Sequence, residues 1–142
     1  MKNRNYLIPC IKNYSSIFRE LDLNFGKKNI ILLKGKLGSG KTTFVKALLF
    51  HKYKFNDVNS PTFGIINTYN IKESLIFHYD LYRINNVSEL DEIGFYDNLE
   101  TEAVHFIEWP EIIPLKLINA NFIISFEIID QFRLISIDDT DA

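Results

Sequence analysis

Gly35-Lys36-Leu37-Gly38-Ser39-Gly40-Lys41-Thr42 lies between two segments of opposite character. Before it, Asn29-Ile30-Ile31-Leu32-Leu33-Lys34 is a compact apolar run. It reads as a strand buried on both faces, the habit of a parallel sheet. After it, Thr42 to His51 has helical spacing, with Phe44, Val45, Ala47, Leu48 and Leu49 making a wide apolar face. Gly35, Gly40, Lys41 and Thr42 satisfy the pattern G-x-x-x-x-G-K-[ST] of a phosphate-binding loop, and Gly38 adds freedom. Glycines let the backbone curl so that several N–H groups point into one concavity, and the helix that follows adds its positive end. Lys41 brings a full charge to the β- and γ-phosphates, and Thr42 offers a hydroxyl to Mg²⁺. Strand, loop and helix in that order give the motif the context it needs.

Working outward, the fold class is α/β: a P-loop NTPase-like three-layer domain, with a mixed, largely parallel sheet flanked by helices. Asn13 to Phe25 reads as a short helix, capped by Ser15 or Ser16 and ended by Gly26. Phe63 to Tyr69 and Ser74 to Tyr79 read as an antiparallel pair with a turn near residues 70–73. Ser88 is an N-cap candidate for an acidic helix that Gly94 would stop. Ala103 to Ile107 is a second buried-strand pattern, and Asn121–Ile129 with Phe132–Ile137 reads as a closing hairpin. The 142 residues fit one domain, 1–142, with a frayed acidic tail at 138–142.

Composition narrows the class. Apolar residues are 46% of the chain, enough for a full core. No apolar run approaches the roughly 18 residues that span a bilayer. The basic start is followed by scattered apolar residues only, which is not a signal-peptide pattern. The single cysteine, Cys10, precludes an internal disulfide and suits a reducing compartment, so a cytoplasmic protein is expected. Net charge is −2, but residues 1–54 carry 12 Lys/Arg against 2 Asp/Glu, and residues 55–142 carry 4 against 16. A basic first part around a phosphate loop could attract nucleotide or RNA phosphates. The favoured reading is that the two parts interleave in one domain and much of the asymmetry cancels in space. The overall acidity argues against a protein that coats nucleic acid.

A P-loop needs a second acid on its metal side, usually at the end of a neighbouring buried strand. Asp80 and Glu108 each end such a strand. One would bind Mg²⁺ and the other would orient or deprotonate the attacking water. Ser60-Pro61-Thr62 either carries Thr62 to the γ-phosphate or is an ordinary proline turn, and spacing alone favours the turn. Arg83 and Arg133 are candidates for neutralising phosphate charge. His51, His78 and His105 lack metal-ligand spacing, so their default reading is structural.

Four segments then occur in order: the glycine loop continued through Thr43-Phe44, Ser60-Pro61-Thr62, His78-Tyr79-Asp80-Leu81-Tyr82-Arg83, and Glu108-Trp109-Pro110-Glu111. Together they resemble the bacterial TsaE (YjeE) family, the ATPase component of the tRNA threonylcarbamoyladenosine machinery. The resemblance covers the chain from Asn29 to Glu111 and extends weakly to Arg133. It implies ATP and Mg²⁺ as cofactors and slow ATP hydrolysis that resets a TsaD–TsaB complex. That complex performs the transfer to tRNA, so tRNA would be an indirect partner, with no membrane and no DNA partner. It also implies that Gly38, Ser39, Gly40, Lys41, Thr42 and Thr43 cradle phosphate. Thr42 and Glu108 would ligate Mg²⁺, and Asp80 would support hydrolysis with Lys41. Thr62 and Trp109 would respond to nucleotide or partner, and Arg133 would lie near the nucleotide. Two positions depart from the family, which usually has Asp at Lys36 and often Ala at Ser39. No Asn-Lys-x-Asp guanine motif occurs, in keeping with ATP. The alternatives are a small-molecule P-loop kinase, disfavoured by having only Arg83 and Arg133 after residue 55, and a regulatory module that binds nucleotide without useful hydrolysis.

Overall fold

The structure is a computed structural model that describes residues 2–9, 14–21, 23–59 and 65–140. Ser60, Pro61, Thr62 and Cys10 lie outside the described residues. Along the chain run β1 (Lys2–Ile8), α1 (Tyr14–Glu20), β2 (Asn29–Gly35), α2 (Lys41–Tyr53), β3 (Ile66–Ile71) and β4 (Ser74–Asp80). They are followed by α3 (Ser88–Glu92), α4 (Phe95–Leu99), β5 (Val104–Glu108), β6 (Phe122–Ile129) and β7 (Phe132–Asp139). All seven strands form one sheet in the order β1-β7-β6-β2-β5-β4-β3. The central strands β6, β2, β5 and β4 are mutually parallel, whereas β3 and β7 run against their neighbours.

The apolar run before the glycine loop becomes the centre of this sheet because both its faces have somewhere to go. Ile31 and Leu33 join a core beneath α1 and α2, built around Ile17, Phe44, Phe106 and Phe126. Ile30 and Leu32 join a second core beneath α3 and α4, built around Tyr79, Leu90, Phe95 and Ile107. This is the expected three-layer α/β arrangement. Tyr14, Phe18 and Phe44 lock α1 onto α2, with ring centroids 5.3–5.8 Å apart. Among the described residues, no helix is long and apolar enough to cross a membrane.

Several local expectations are corrected. Ser15 and Ser16 lie inside α1, which ends at Glu20, so neither caps it and Gly26 does not end it. The β3–β4 turn is tighter than expected, with Lys72 and Glu73 both at positive φ (47° and 68°). That geometry matches the twist of a two-residue hairpin. Ser88 does not cap α3; Asn86 supplies the acceptor instead, its Oδ1 taking the Ser88 N–H at 3.1 Å. Gly94, at φ 71°, ends α3 as expected but also opens α4. The acidic tail is not frayed through Thr140. Asp138 and Asp139 extend β7 opposite Asn3 and Lys2 of β1. The Thr140 hydroxyl donates to the carbonyls of Ala120 and Asn121.

Candidate active site

The glycine loop joins β2 to α2 at the end of the sheet where the parallel strands finish. Glycine is required at Gly35 by crowding. A Cβ there would stand 2.5 Å from Ser39 Oγ and 2.9 Å from the Phe126 carbonyl oxygen. Gly38 and Gly40 have φ of 77° and 107°, left-handed conformations that side chains resist. Gly40 is the N-cap of α2, and among the described residues no side chain closes the helix end, so the first turn's N–H groups are available to an anion.

Lys41 is buried, and its Nζ donates to the carbonyls of Gly35 (2.5 Å) and Lys36 (3.0 Å). It also stands 4.2 Å from the centre of the Trp109 ring. Burial lowers the Lys41 pKa, and the charges of Glu108, Asp80 and Glu111 oppose that shift. Trp109 is held in the left-handed region at φ 59°, directly after β5, with Tyr82 packed on it at 4.9 Å between centroids.

Strand pairing brings the two expected acids together. β4 and β5 are parallel neighbours in register, with Asp80 opposite Glu108. Glu108 is buried and accepts hydrogen bonds from the Thr42 hydroxyl at 3.0 and 2.8 Å on its two oxygens. Asp80 is half-buried, and its Oδ1 accepts the Tyr82 N–H at 3.1 Å. A cleft of about 200 Å³ is lined by Gly38, Gly40, Lys41, Thr42, Thr43, Asp80, Glu108 and Trp109. On the other side of the same loop a pocket of about 230 Å³ is lined by Tyr14, Gly38, Gly40, Thr43, Gln131 and Arg133, among others. Two recesses therefore share the loop residues Gly38, Gly40 and Thr43 in their walls. One is rich in charge beside the carboxylates, and the other is framed by α1 and the β6–β7 turn.

Of the residues singled out in the sequence, Gly38, Ser39, Gly40, Lys41, Thr42, Thr43, Asp80, Glu108 and Arg133 gather around this loop. Arg83 is exposed on the segment after β4. Ser39 is buried, and its Oγ has no hydrogen-bond partner among the described residues. One contact was missed by sequence reasoning: His78 Nε2 lies 2.5 Å from Glu108 Oε2. Among the described residues no group of three or more His, Cys, Asp or Glu forms a metal cage. The donors present, a hydroxyl and carboxylates, are hard oxygens of the kind that hold Mg²⁺ together with phosphate oxygens rather than in a cage of protein ligands. Two carboxylates facing an anion-binding loop would repel a polyphosphate unless a cation stood between them, so the site fits that metal.

Comparison with known proteins identifies the family. The family model described as "Threonylcarbamoyl adenosine biosynthesis protein TsaE" matches residues 10–134. A tRNA threonylcarbamoyladenosine biosynthesis protein TsaE from Rickettsia typhi is 36% identical over 121 residues, covering 84% of this chain and 81% of that protein. One from Haemophilus influenzae is 33% identical over 117 residues, covering 82% and 74%. The crystal structure of Bacillus subtilis YdiB superposes with a TM-score of 0.68 at 23% identity, covering 97% of this chain and 86% of that one, which supports the fold. With the loop, the paired strand-end acids and these relatives in agreement, the chain belongs to the TsaE family of tRNA threonylcarbamoyladenosine biosynthesis.

Proposed function

We propose that this chain is a Mg²⁺-dependent ATP-binding protein and slow ATPase that acts on a TsaD–TsaB complex during tRNA modification. The observation that carries the reading is the Thr42 hydroxyl held 2.8 Å from the Glu108 carboxylate at the mouth of the glycine loop. A loop hydroxyl beside a strand-end carboxylate is the pair that holds the cation of a P-loop nucleotide hydrolase. Thr42 and Glu108 would hold Mg²⁺, and the bound ion would supply positive charge that offsets the negative charge of the phosphates.

The protein's own groups do the rest. Backbone N–H groups of Gly38 to Thr43 receive the phosphates. Lys41, which now bonds two loop carbonyls, exchanges them for phosphate oxygens, which are stronger acceptors for an ammonium. Thr42 and Glu108 hold the cation side. Asp80, in register with Glu108 on the neighbouring strand, would orient the attacking water. Arg133 and Tyr14 frame the recess beyond the loop, which would take the rest of the nucleotide. The threonylcarbamoyl transfer itself is assigned to the partner complex, and tRNA is an indirect partner.

The test is ATP hydrolysis by the purified chain, alone and with a TsaD–TsaB pair plus tRNA. Slow basal turnover that rises with the pair supports the reading. Turnover indifferent to the pair detaches the chain from it, and turnover that needs an acceptor metabolite favours a kinase. Within the site, Glu108→Ala should raise the Mg²⁺ needed for half-maximal hydrolysis by about tenfold or more, an effect typical of losing a metal-side group. Asp80→Ala should lower the maximal rate with a smaller change in that requirement. The reverse ranking exchanges their roles.

A further inference from the structure

Alternation along β4 puts His78 and Asp80 on one face, and the parallel register with β5 puts them beside Phe106 and Glu108. His78 is fully buried, at 0% exposure. Carboxylate oxygens accept, so in the 2.5 Å contact to Glu108 Oε2 the proton stands on His78 Nε2. The other ring nitrogen, Nδ1, is buried without a hydrogen-bond partner among the described residues. A buried polar atom left alone is costly, so a ring serving only to fill this space would be better replaced by an apolar one. Among the described residues, the one hydrogen bond the imidazole makes goes to Glu108. That carboxylate is itself only 3% exposed and also accepts the Thr42 hydroxyl, at 3.0 Å on Oε1 and 2.8 Å on the same Oε2 that His78 reaches.

We infer that His78 is a positioning residue: through Nε2–H it fixes the rotamer of Glu108, so that the carboxylate and the Thr42 hydroxyl present a preformed cation-binding edge to the nucleotide. The inference rests on the proposed role of Glu108 at the cation side. Outer partners of this kind are typically worth ten- to a hundredfold in metal affinity, because they remove the cost of ordering the ligand when the cation arrives. His78 acts on cation binding and leaves the loop's own grip on phosphate unaltered.

The test is calorimetric ATP binding by the full chain, first with EDTA and then across a Mg²⁺ titration. The variants are His78→Phe, His78→Gln, His78→Asn and Glu108→Ala. Glutamine can put an amide N–H near the Nε2 position; asparagine is as polar but too short to reach Glu108. The expected result is metal-free ATP affinity within twofold of wild type in the three His78 variants. The Mg²⁺ requirement should rise about tenfold or more in His78→Phe and His78→Asn, and return to within about threefold of wild type in His78→Gln. The Glu108→Ala/His78→Phe double variant should be no worse than Glu108→Ala alone, since His78 acts through that carboxylate. If His78→Phe does not fold, the Asn–Gln pair carries the same comparison. An unchanged Mg²⁺ requirement in His78→Asn, with Glu108→Ala impaired, overturns the positioning role and leaves the site reading standing. An unchanged requirement in Glu108→Ala removes the site reading and the inference with it.

Discussion

Two neighbouring strands each bury a histidine completely, and they do so on opposite faces of the sheet. His105 of β5 faces the α3/α4 side. Its Nδ1 accepts the Tyr79 hydroxyl at 2.9 Å, its Nε2 donates to the Thr101 carbonyl at 3.0 Å, and its ring stacks on Phe77 at 5.2 Å. His78 of β4 faces the α1/α2 side, with one nitrogen on Glu108 and the other without a partner among the described residues. Burial is equal and residue type is the same, so neither distinguishes them. What differs is where the hydrogen bonds go. The His105 bonds close a core, whereas the His78 bond ends on a carboxylate that lines a cleft. A buried polar group is read by the destination of its hydrogen bonds, and exposure alone says little about its role.

If the contrast between the two faces holds, damage on one side should be felt in ligand binding and damage on the other in stability. The largest effect is expected from Lys41→Ala, on the site face. It removes the ammonium that bonds two carbonyls of the loop and should cost about 3 kcal/mol of ATP affinity, roughly a hundredfold, with the melting temperature little changed. Normal ATP binding by that variant would break the P-loop assignment. A smaller effect is expected from Tyr79→Phe on the other face. It strips His105 Nδ1 of its donor inside a sealed core and should cost about 1–2 kcal/mol in denaturant unfolding, with ATP affinity unaltered. Loss of nucleotide binding there would mean the two faces are coupled.

The smallest expected effect is a slope with pH. Burial, the first cause, holds the His105 pKa below its ordinary value. The unfolded chain therefore binds the proton more readily than the folded one at pH values below about 6.5, and stability should fall as pH drops through that range while remaining full above it. Unfolding followed from pH 8 to pH 5 should show the decline, and His105→Phe should lack this contribution. A stability that rises on acidification would contradict the hydrogen-bond pattern assigned to His105.

Legibility varied with how local the signal was. The β2–loop–α2 unit was readable because an apolar run, three glycines and a helical stripe are all written within residues 29–53. Asp80 and Glu108 were readable because each ends an apolar run, and the sheet then pairs them. β1 was not readable. Lys2–Ile8 is mostly polar and mostly exposed, and it is a strand only because all seven residues pair with β7. Strand propensity at an edge is set by that tertiary context. α4 was missed because five residues carry too little periodicity to register. The Lys72-Glu73 turn lacks the Asn-Gly or Asp-Gly signature of its geometry, so the sequence located it only within four residues. His78 looked structural because its contact with Glu108 exists only once β4 and β5 lie side by side. Thr62 falls outside the described residues.

The chain has one tryptophan, and it is Trp109, with the Lys41 ammonium 4.2 Å from its ring centre. Indole emission depends on the charges around the ring, so this side chain reads out the position of that ammonium optically. A ligand that draws Lys41 off the Gly35 and Lys36 carbonyls must change the colour or brightness of the protein's intrinsic fluorescence. With no second indole to dilute the signal, loop occupancy can be followed in real time on the unlabelled molecule.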